Sequence, residues 1–127
     1  PPSLHPSLPF SGAYDAVLLA NVLCRLPDPR LALEMIGGRE GGREGVLAPG
    51  GLFMLTTPFS WKECFTPKEK WLGGAAPDGK DSHAELKRLM GGLGFKLLKE
   101  QEMPLIIHQH ARLFELITPM ATVWQKM

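Results

Sequence analysis

The chain has 127 residues, which is enough for one domain with a single hydrophobic core. It carries 14 Lys and Arg against 13 Asp and Glu, a formal net charge of +1, so no basic excess indicates nucleic acid or a membrane surface as a partner. No apolar run approaches the roughly 20 residues that cross a bilayer, and no secretion signal is visible at the start. These features predict a cytoplasmic protein.

The first 13 residues have the composition of an irregular segment, whereas the residues that follow have the pattern of a folded domain. Residues 1–13 are rich in proline and serine, which predicts an irregular leader or the cut edge of a longer chain. Asp15 to Ala20 is nearly all apolar, which is typical of a strand buried on both faces of a parallel sheet. Asp28 is placed to cap a helix over 29–36 whose first residue is a proline. Together these elements predict half of a βαβ unit.

A second strand and a long aromatic loop come next. The tandem Gly-Gly-Arg-Glu repeat at 37–44 is interpreted as a surface loop, because a phosphate cradle would follow a strand and open a helix. A turn at 47–51 leads to a buried strand over 52–57, which ends at Pro58. The segment 59–80 carries four large aromatic side chains, and we predict an aromatic lid or substrate wall. The alternative is a surface helix and loop that packs its aromatic residues on the sheet.

The last third of the sequence predicts a helix and a strand pair. Ser82 and Glu85 fit a capping box at the start of an amphipathic helix that stops near Gly94. Two extended segments, 95–107 and 113–124, predict an antiparallel pair at the chain end. If the first of them runs parallel to the earlier strands, the polar residues between the two lie on the ligand side of the sheet, near the ends of the first two strands.

Two signatures in this order resemble class I S-adenosylmethionine (SAM) methyltransferases. Tyr14–Val17 with Leu26–Pro29 is similar to the fourth strand and following helix of that family, and Leu47–Gly51 is similar to the approach to its fifth strand. The resemblance implies an α/β, Rossmann-like sheet of which this chain is the C-terminal half, ending in an antiparallel strand pair. The family's glycine-rich SAM loop would lie upstream of Pro1. On that basis residues 14–127 form a partial domain whose unpaired sheet edge predicts instability or association.

More specific segments resemble the methyltransferases of ovothiol biosynthesis: Ala20–Pro29, Thr57–Trp61, Phe65–Gly74, His110–Arg112 and Ala121–Trp124. This resemblance implies an enzyme that transfers a methyl group from SAM to an imidazole nitrogen of mercaptohistidine. In many organisms that domain is fused to an iron-dependent sulfoxide synthase, which makes such a synthase an expected partner.

Candidate site residues follow from position and chemistry. A neutral imidazole nitrogen can attack a sulfonium methyl group near pH 7, so positioning is the main task of the enzyme. Glu63 and His110 are candidates to orient the ring and to accept its spare proton. The alternative is that Glu63 is a solvated charge on the loop and that His110 is a packed histidine. By position, Asn21, Val22 and Cys24 would contact SAM, and the thiol of Cys24 is expected to be a small buried group rather than a nucleophile.

Aromatic and cationic side chains are the candidates for holding the substrate. Trp61 and Trp71 are suited to stack on the imidazole or to flank the sulfonium, and packing within the lid is the alternative for each. Arg112, Lys68 and Arg25 are candidates to bind the substrate carboxylate, which arginine contacts better in bidentate fashion.

Two other functions stay open from the sequence. A non-catalytic binding module would have lost the nucleotide loop and would bind its ligand through the aromatic loop. A methyltransferase with another acceptor, a different small molecule or a protein histidine, fits the same fold, because fold does not fix function. No metal site is predicted, since His108 and His110 have no third ligand near them in the sequence.

Overall fold

A computed structural model of the protein describes residues 11–38, 44–74 and 80–127. Most of the sequence-predicted leader, most of the Gly-Gly-Arg-Glu repeat and the end of the aromatic loop lie outside these ranges. The elements within them are, in chain order, β1 (Tyr14–Ala20), α1 (Pro29–Gly37), β2 (Leu47–Thr57), α2 (Lys80–Gly92), β3 (Phe95–Glu102), β4 (Leu105–His110), β5 (Leu113–Ile117) and β6 (Met120–Lys126). In the described ranges, no helix is both long enough and apolar enough to cross a membrane.

The main sheet has the strand order β1-β2-β6-β3. β1 and β2 pair in parallel, and β6 runs antiparallel between β2 and β3. β3 and β6 pair from Phe95 opposite Lys126 to Glu102 opposite Met120, so the antiparallel pair at the chain end is confirmed. Both crossovers step across the sheet in one direction, and right-handed connections therefore place α1 and α2 on the same face.

The hydrophobic core lies between the sheet and these two helices. Gly37 allows α1 to approach β3, because a Cβ at this position would lie 2.2 Å from the ring of Phe95. The core side chains are all at most 9% exposed: Leu23, Leu33, Ile36, Leu47, Phe53, Leu55, Leu72, Leu86, Leu89, Met90, Phe95 and Trp124. One contiguous cluster therefore joins both helices to three strands of the sheet.

The opposite face of the sheet is open among the described residues. Leu18 on β1 is 63% exposed, and Leu52 and Met54 on β2 are each 37% exposed. Leu18 and Met54 are cross-strand neighbours, so these side chains form one apolar patch. The prediction that both strands are buried on two faces is therefore wrong in this structure, because the helices that it describes cover one face.

The two helix starts differ in how well local sequence predicts them. Asp28 caps α1 as expected, since its Oδ1 accepts a hydrogen bond from the Leu31 N–H at 3.1 Å. The capping box at Ser82 is wrong: α2 begins at Lys80, and the Ser82 hydroxyl instead accepts a hydrogen bond from Trp61 Nε1 at 2.9 Å. The Ser82 hydroxyl, which the local pattern assigned to a helix cap, is used in a tertiary contact with Trp61.

The sequence-predicted turn at 47–51 is a bulge inside β2. Tyr14 pairs with Leu47 and Ala16 pairs with Leu52, so extra residues of β2 loop out between two consecutive pairs. The Pro-Gly-Gly sequence thus bends the strand without ending it.

β4 and β5 form a hairpin that is separate from the main sheet. Pro104 and Pro119 flank it, and a proline cannot donate a hydrogen bond to a strand ladder. Met103 N–H donates to the Pro119 carbonyl at 2.8 Å and closes the base of the hairpin. The sequence predicted one strand pair here, and the structure has a second pair beyond it.

Candidate functional site

Strained backbone marks the carboxyl ends of β1 and β2. Asn21 has φ 57° and Phe59 has φ 54°, values that are uncommon for residues other than glycine and that tend to occur at functional sites. Asn21 N–H donates to the Thr56 carbonyl at 2.7 Å, and its Oδ1 accepts from the Thr56 hydroxyl at 3.0 Å. Phe59 N–H donates to the Thr57 hydroxyl at 3.2 Å. Thr56 therefore holds the two strand ends together and Thr57 fixes the backbone of Phe59, and neither threonine was among the sequence-predicted site residues.

Arg25 joins the loop after β1 to the segment after β2, residues 58–74, here called the aromatic segment. Its Nη1 donates to the Ser60 carbonyl, and its Nη2 donates to the Ser60 hydroxyl at 3.3 Å. The guanidinium also lies over the Phe65 ring, 5.4 Å from the ring centroid, within cation–π distance. Arg25 thus fixes the aromatic segment beside the end of β1.

Two indole rings form the centre of the aromatic segment. Trp61 and Trp71 stack with centroids 6.4 Å apart and planes inclined by 17°. Both N–H groups are committed, that of Trp61 to Ser82 at 2.9 Å and that of Trp71 to the Thr66 carbonyl at 2.8 Å. These bonds fix the orientation of both rings. An oriented pair of indoles is a flat surface suited to an aromatic or cationic ligand.

Two further contacts tie the aromatic segment to the start of α1. The buried Thr66 hydroxyl donates to the Leu26 carbonyl at 2.5 Å, and Lys70 Nζ lies 2.9 Å from Asp28 Oδ2. Burial raises the pKa of Asp28, but the hydrogen bonds from Lys70 and from the Leu31 N–H outweigh that effect and lower the pKa below its ordinary value. Asp28 is therefore ionised at neutral pH and serves both the cap and the ion pair.

His83 on α2 closes the other side of this region. Its ring lies 6.0 Å from that of Phe59, and its Nε2 lies 2.9 Å from Glu100 Oε2. The hydrogen bond from His83 lowers the pKa of Glu100, and the nearby Lys87 adds to this against the opposing effect of burial. His83 Nδ1 is buried without a hydrogen-bond partner among the described residues. No sequence motif indicated this residue, because only the fold brings α2 to the aromatic segment.

An open cavity of about 270 Å³ adjoins the Trp71 side of the aromatic segment. Of the eight residues that line the cavity, three are acidic and two are basic. The lining residues are Asp28, Arg30, Glu69, Lys70, Trp71, Leu72, Gly73 and Glu85. Arg88 donates a hydrogen bond to Glu85 and lowers the pKa of the Glu85 carboxyl group. The Glu85 carboxyl group is therefore ionised at neutral pH. Asp28 pairs with Lys70, and Glu85 lies 3.6 Å from Arg30, so most of the lining charges are paired with one another around an indole wall.

The structure brings together several of the sequence-predicted site residues. Trp61 and Trp71 stack within the aromatic segment, and Lys68 Nζ lies 6.0 Å from the Trp71 ring centroid. Arg25 contacts Ser60 and Phe65 of the same segment. Asn21 directly follows β1, as expected.

The sequence-predicted SAM contacts after β1 differ in exposure. Val22, next to Asn21, is 39% exposed and accessible to a ligand. Cys24 is 1% exposed, with its Sγ 3.8 Å from the Ser60 hydroxyl, so its burial favours packing over contact with a cofactor. Both cysteines of the chain are free thiols.

Three other candidates have no hydrogen bond, ion pair or ring contact to this cluster among the described residues. Glu63 is exposed on a turn of the aromatic segment. His110 and Arg112 lie at the hairpin end, where the Arg112 N–H donates to His110 Nδ1 at 3.2 Å. The nearby His108 ring stacks on Phe114 with centroids 4.6 Å apart. These contacts all stay within the hairpin, and no hydrogen bond or ring contact of the described residues brings this end to Asn21.

Known structures show what the fold resembles. A SAM-dependent methyltransferase from Methanosarcina mazei matches with a TM-score of 0.59 and 19% identity, over 95% of this chain and 63% of that chain. A second match is a structure from work on the conversion of a disulfide bond into a thioacetal group during echinomycin biosynthesis. It has a TM-score of 0.54 and 11% identity, over 94% of this chain and 51% of that chain. No protein-family model and no curated protein matches the chain. The chain thus has the fold of SAM-dependent methyltransferases and spans less than two thirds of the length of either structure.

Proposed function

We propose that this chain is the C-terminal part of a SAM-dependent methyltransferase. The observation that carries the proposal is the fold, which matches a SAM-dependent methyltransferase over 95% of the chain. The strained strand ends at Asn21 and Phe59 add support, because ligands of open α/β sheets bind outside the carboxyl ends of the strands. When bound, SAM would supply an electrophilic methyl group.

Residues after β1 are the proposed SAM contacts. Asn21 uses its carbonyl oxygen on Thr56, which leaves the side-chain amide N–H groups to donate to a ligand. Val22 adds an exposed apolar contact. These groups fit one side of a nucleotide-like ligand, and the rest of the site would come from strands that pair with the outer edge of β1 in a longer chain.

The proposed acceptor is an imidazole nitrogen of mercaptohistidine. The stacked pair of Trp61 and Trp71 supports a flat heteroaromatic substrate, since each ring is held by a hydrogen bond and needs no reordering. Lys68 beside Trp71 and the guanidinium of Arg25 are the proposed partners of the substrate carboxylate. Glu63 and His110 as proton acceptors and Arg112 as a carboxylate partner stay predictions from the sequence. The sulfoxide synthase partner stays an expectation from the family resemblance.

A methyl-transfer assay tests the proposal. A longer version of the protein, with about 100 upstream residues as a usual domain increment, would be incubated with methyl-labelled SAM and mercaptohistidine. Mass spectrometry would then look for the methylated ring. Histidine is the matched control acceptor, because it lacks only the sulfur. Labelled mercaptohistidine is the expected result, and an absence of both methyl transfer and SAM binding would contradict the proposal.

A binding module is the second candidate, and the charged cavity beside Trp71 favours it. Such a module would bind a zwitterionic amino acid without SAM. Calorimetry with mercaptohistidine, with and without SAM, separates the two functions. Binding that is unchanged by SAM, together with an absence of product, would favour the module, whereas tighter binding with SAM favours the enzyme.

A further inference from the structure

The hairpin presents an apolar face that nothing in the described chain covers. Ile106 is 67% exposed, Leu116 is 69% exposed and Phe114 is 60% exposed. Ile106 pairs with Leu116 across the two strands, and His108 pairs with Phe114. These four side chains therefore lie on one face, here called the apolar face of the hairpin.

The other face of the hairpin has a different character. Leu105 and Ile117 pair there and are half-buried, so this face is already partly covered. Ile107 pairs there with Glu115, which accepts a hydrogen bond from the Gln109 amide at 3.3 Å. An isolated two-stranded hairpin is marginally stable in water, so a partner is expected on its apolar side. Contiguous exposed apolar surface of this kind commonly marks a contact with another molecule.

We propose that the apolar face packs on the same face of a second copy of this chain. The two hairpins would lie antiparallel about a two-fold axis, the commonest symmetry of protein dimers. Ile106 and Leu116, near the base of one hairpin, would then meet His108 and Phe114, near the end of the other. β4 has 6 residues, and at about 3.3 Å per residue it overlaps the second hairpin over roughly 20 Å.

The charges at the two ends of the hairpin support the antiparallel arrangement. Arg112 lies in the two-residue turn at the end, and Glu102 lies at the base, where β3 stops. Both are exposed, and neither has an ion-pair partner in the ranges that the structure describes. Antiparallel packing brings Arg112 of each copy to Glu102 of the other, so the symmetry forms two ion pairs.

The size of the apolar face indicates a weak dimer. Its large side chains, with surfaces on the order of 150–250 Å² for an aromatic residue, offer about 400 Å² per copy. The total of about 800 Å² is below the roughly 1,000 Å² of a stable interface, so the contact is a weak one. We therefore expect dimerisation that depends on protein concentration.

Sedimentation equilibrium of the whole chain over a wide concentration range tests the proposal. A monomer–dimer equilibrium is expected, and Ile106→Glu with Leu116→Glu should weaken it by at least about tenfold. Met35→Glu is the matched control, because Met35 is 44% exposed on α1, away from the hairpin. A wild-type chain that stays monomeric, or a dimer that the hairpin variant leaves unchanged, would overturn the proposal.

Two further variants test the arrangement and the competing surface. Arg112→Glu and Glu102→Arg should each weaken the dimer, and the combined swap should restore it. A combined swap that fails to restore the dimer would overturn the antiparallel arrangement. Leu18→Lys alters the open sheet face. If this variant loses the dimer while the variant with Ile106→Glu and Leu116→Glu keeps it, the interface lies on the sheet and the hairpin interface is overturned.

Discussion

The aromatic segment and the hairpin both begin where strands of the sheet end, yet they are built in opposite ways. The aromatic segment is tied to α1 through Thr66 and Lys70 and to α2 through Trp61. The hairpin side chains contact one another, as in the stack of His108 on Phe114. The first region is a hydrogen-bonded wall beside the strand ends, suited to orienting a small ligand. The second projects an apolar surface, suited to a macromolecular contact.

The largest expected effect is that of Trp61→Ala. This change removes a half-buried ring from its stack on Trp71 and leaves the buried Ser82 hydroxyl without its partner. We expect a loss of about 2–3 kcal/mol in the free energy of unfolding. The matched variant on the hairpin is Phe114→Ala, which should cost less than about 0.5 kcal/mol in dilute solution. Chemical denaturation measures both, and equal losses would contradict the contrast between the two regions.

Thr66→Val tests the link to α1 at constant side-chain volume. The change removes the hydroxyl that donates to the Leu26 carbonyl in a fully buried position. We expect a loss of about 1–2 kcal/mol, because a buried polar group is left without a partner. Thr118→Val in the exposed connection between β5 and β6 is the control. A neutral result for both variants would show that this hydrogen bond does not hold the segment.

Asp28→Ala is expected to cost about 1 kcal/mol through the lost helix cap. Asp28→Asn keeps a capping oxygen and removes the charge, so it should cost less, in the range of an exposed ion pair of about 0–1 kcal/mol. The pKa of Asp28 is lowered in the folded protein, so its charge stabilises the fold above the ordinary pKa of 3.8. That contribution is lost as the pH falls through the folded pKa. Thermal unfolding at neutral and acidic pH measures this, and a charge effect that grows in acid would contradict the account.

The smallest expected effect is that of Glu100→Gln. The hydrogen bond from His83 lowers the pKa of Glu100, but the carboxylate is 40% exposed and its contacts are screened by water. We expect a loss within about 0.5 kcal/mol at neutral pH. Lys99→Gln, on the same exposed strand, is the control for a change of surface charge. A much larger loss at Glu100 would mean that the buried Nδ1 of His83 depends on this pair.

Local patterns predicted the elements of the sheet well, because each strand and helix carries its own periodicity. The apolar run after Tyr14, the Asp28 cap and the terminal strand pair were all visible in the sequence. The capping-box prediction, which depended on local sequence alone, was wrong. Ser82 was assigned to a cap, whereas the fold uses it to hold Trp61.

Placement of the site residues was the harder problem for the same reason. Asn21, Trp61 and Trp71 could be located from the order of strands and the length of the loop. His110 and Arg112 lie at the far end of a hairpin that Pro104 and Pro119 set off from the sheet, so their place beside Asn21 stays a prediction. No local pattern distinguishes a strand that continues in the sheet from one that leaves it.

The most direct test of the central claim compares the two regions by nuclear magnetic resonance during a titration with SAM and mercaptohistidine. The protein would be the extended version used in the methyl-transfer assay, labelled with nitrogen-15. We expect shifts at the amides of Asn21 and Val22 and at the indole N–H groups of Trp61 and Trp71, with little change at Ala111 and Arg112. Shifts confined to the hairpin, or none at all, would contradict the assignment of the strand ends and the aromatic segment as the methyl-transfer site.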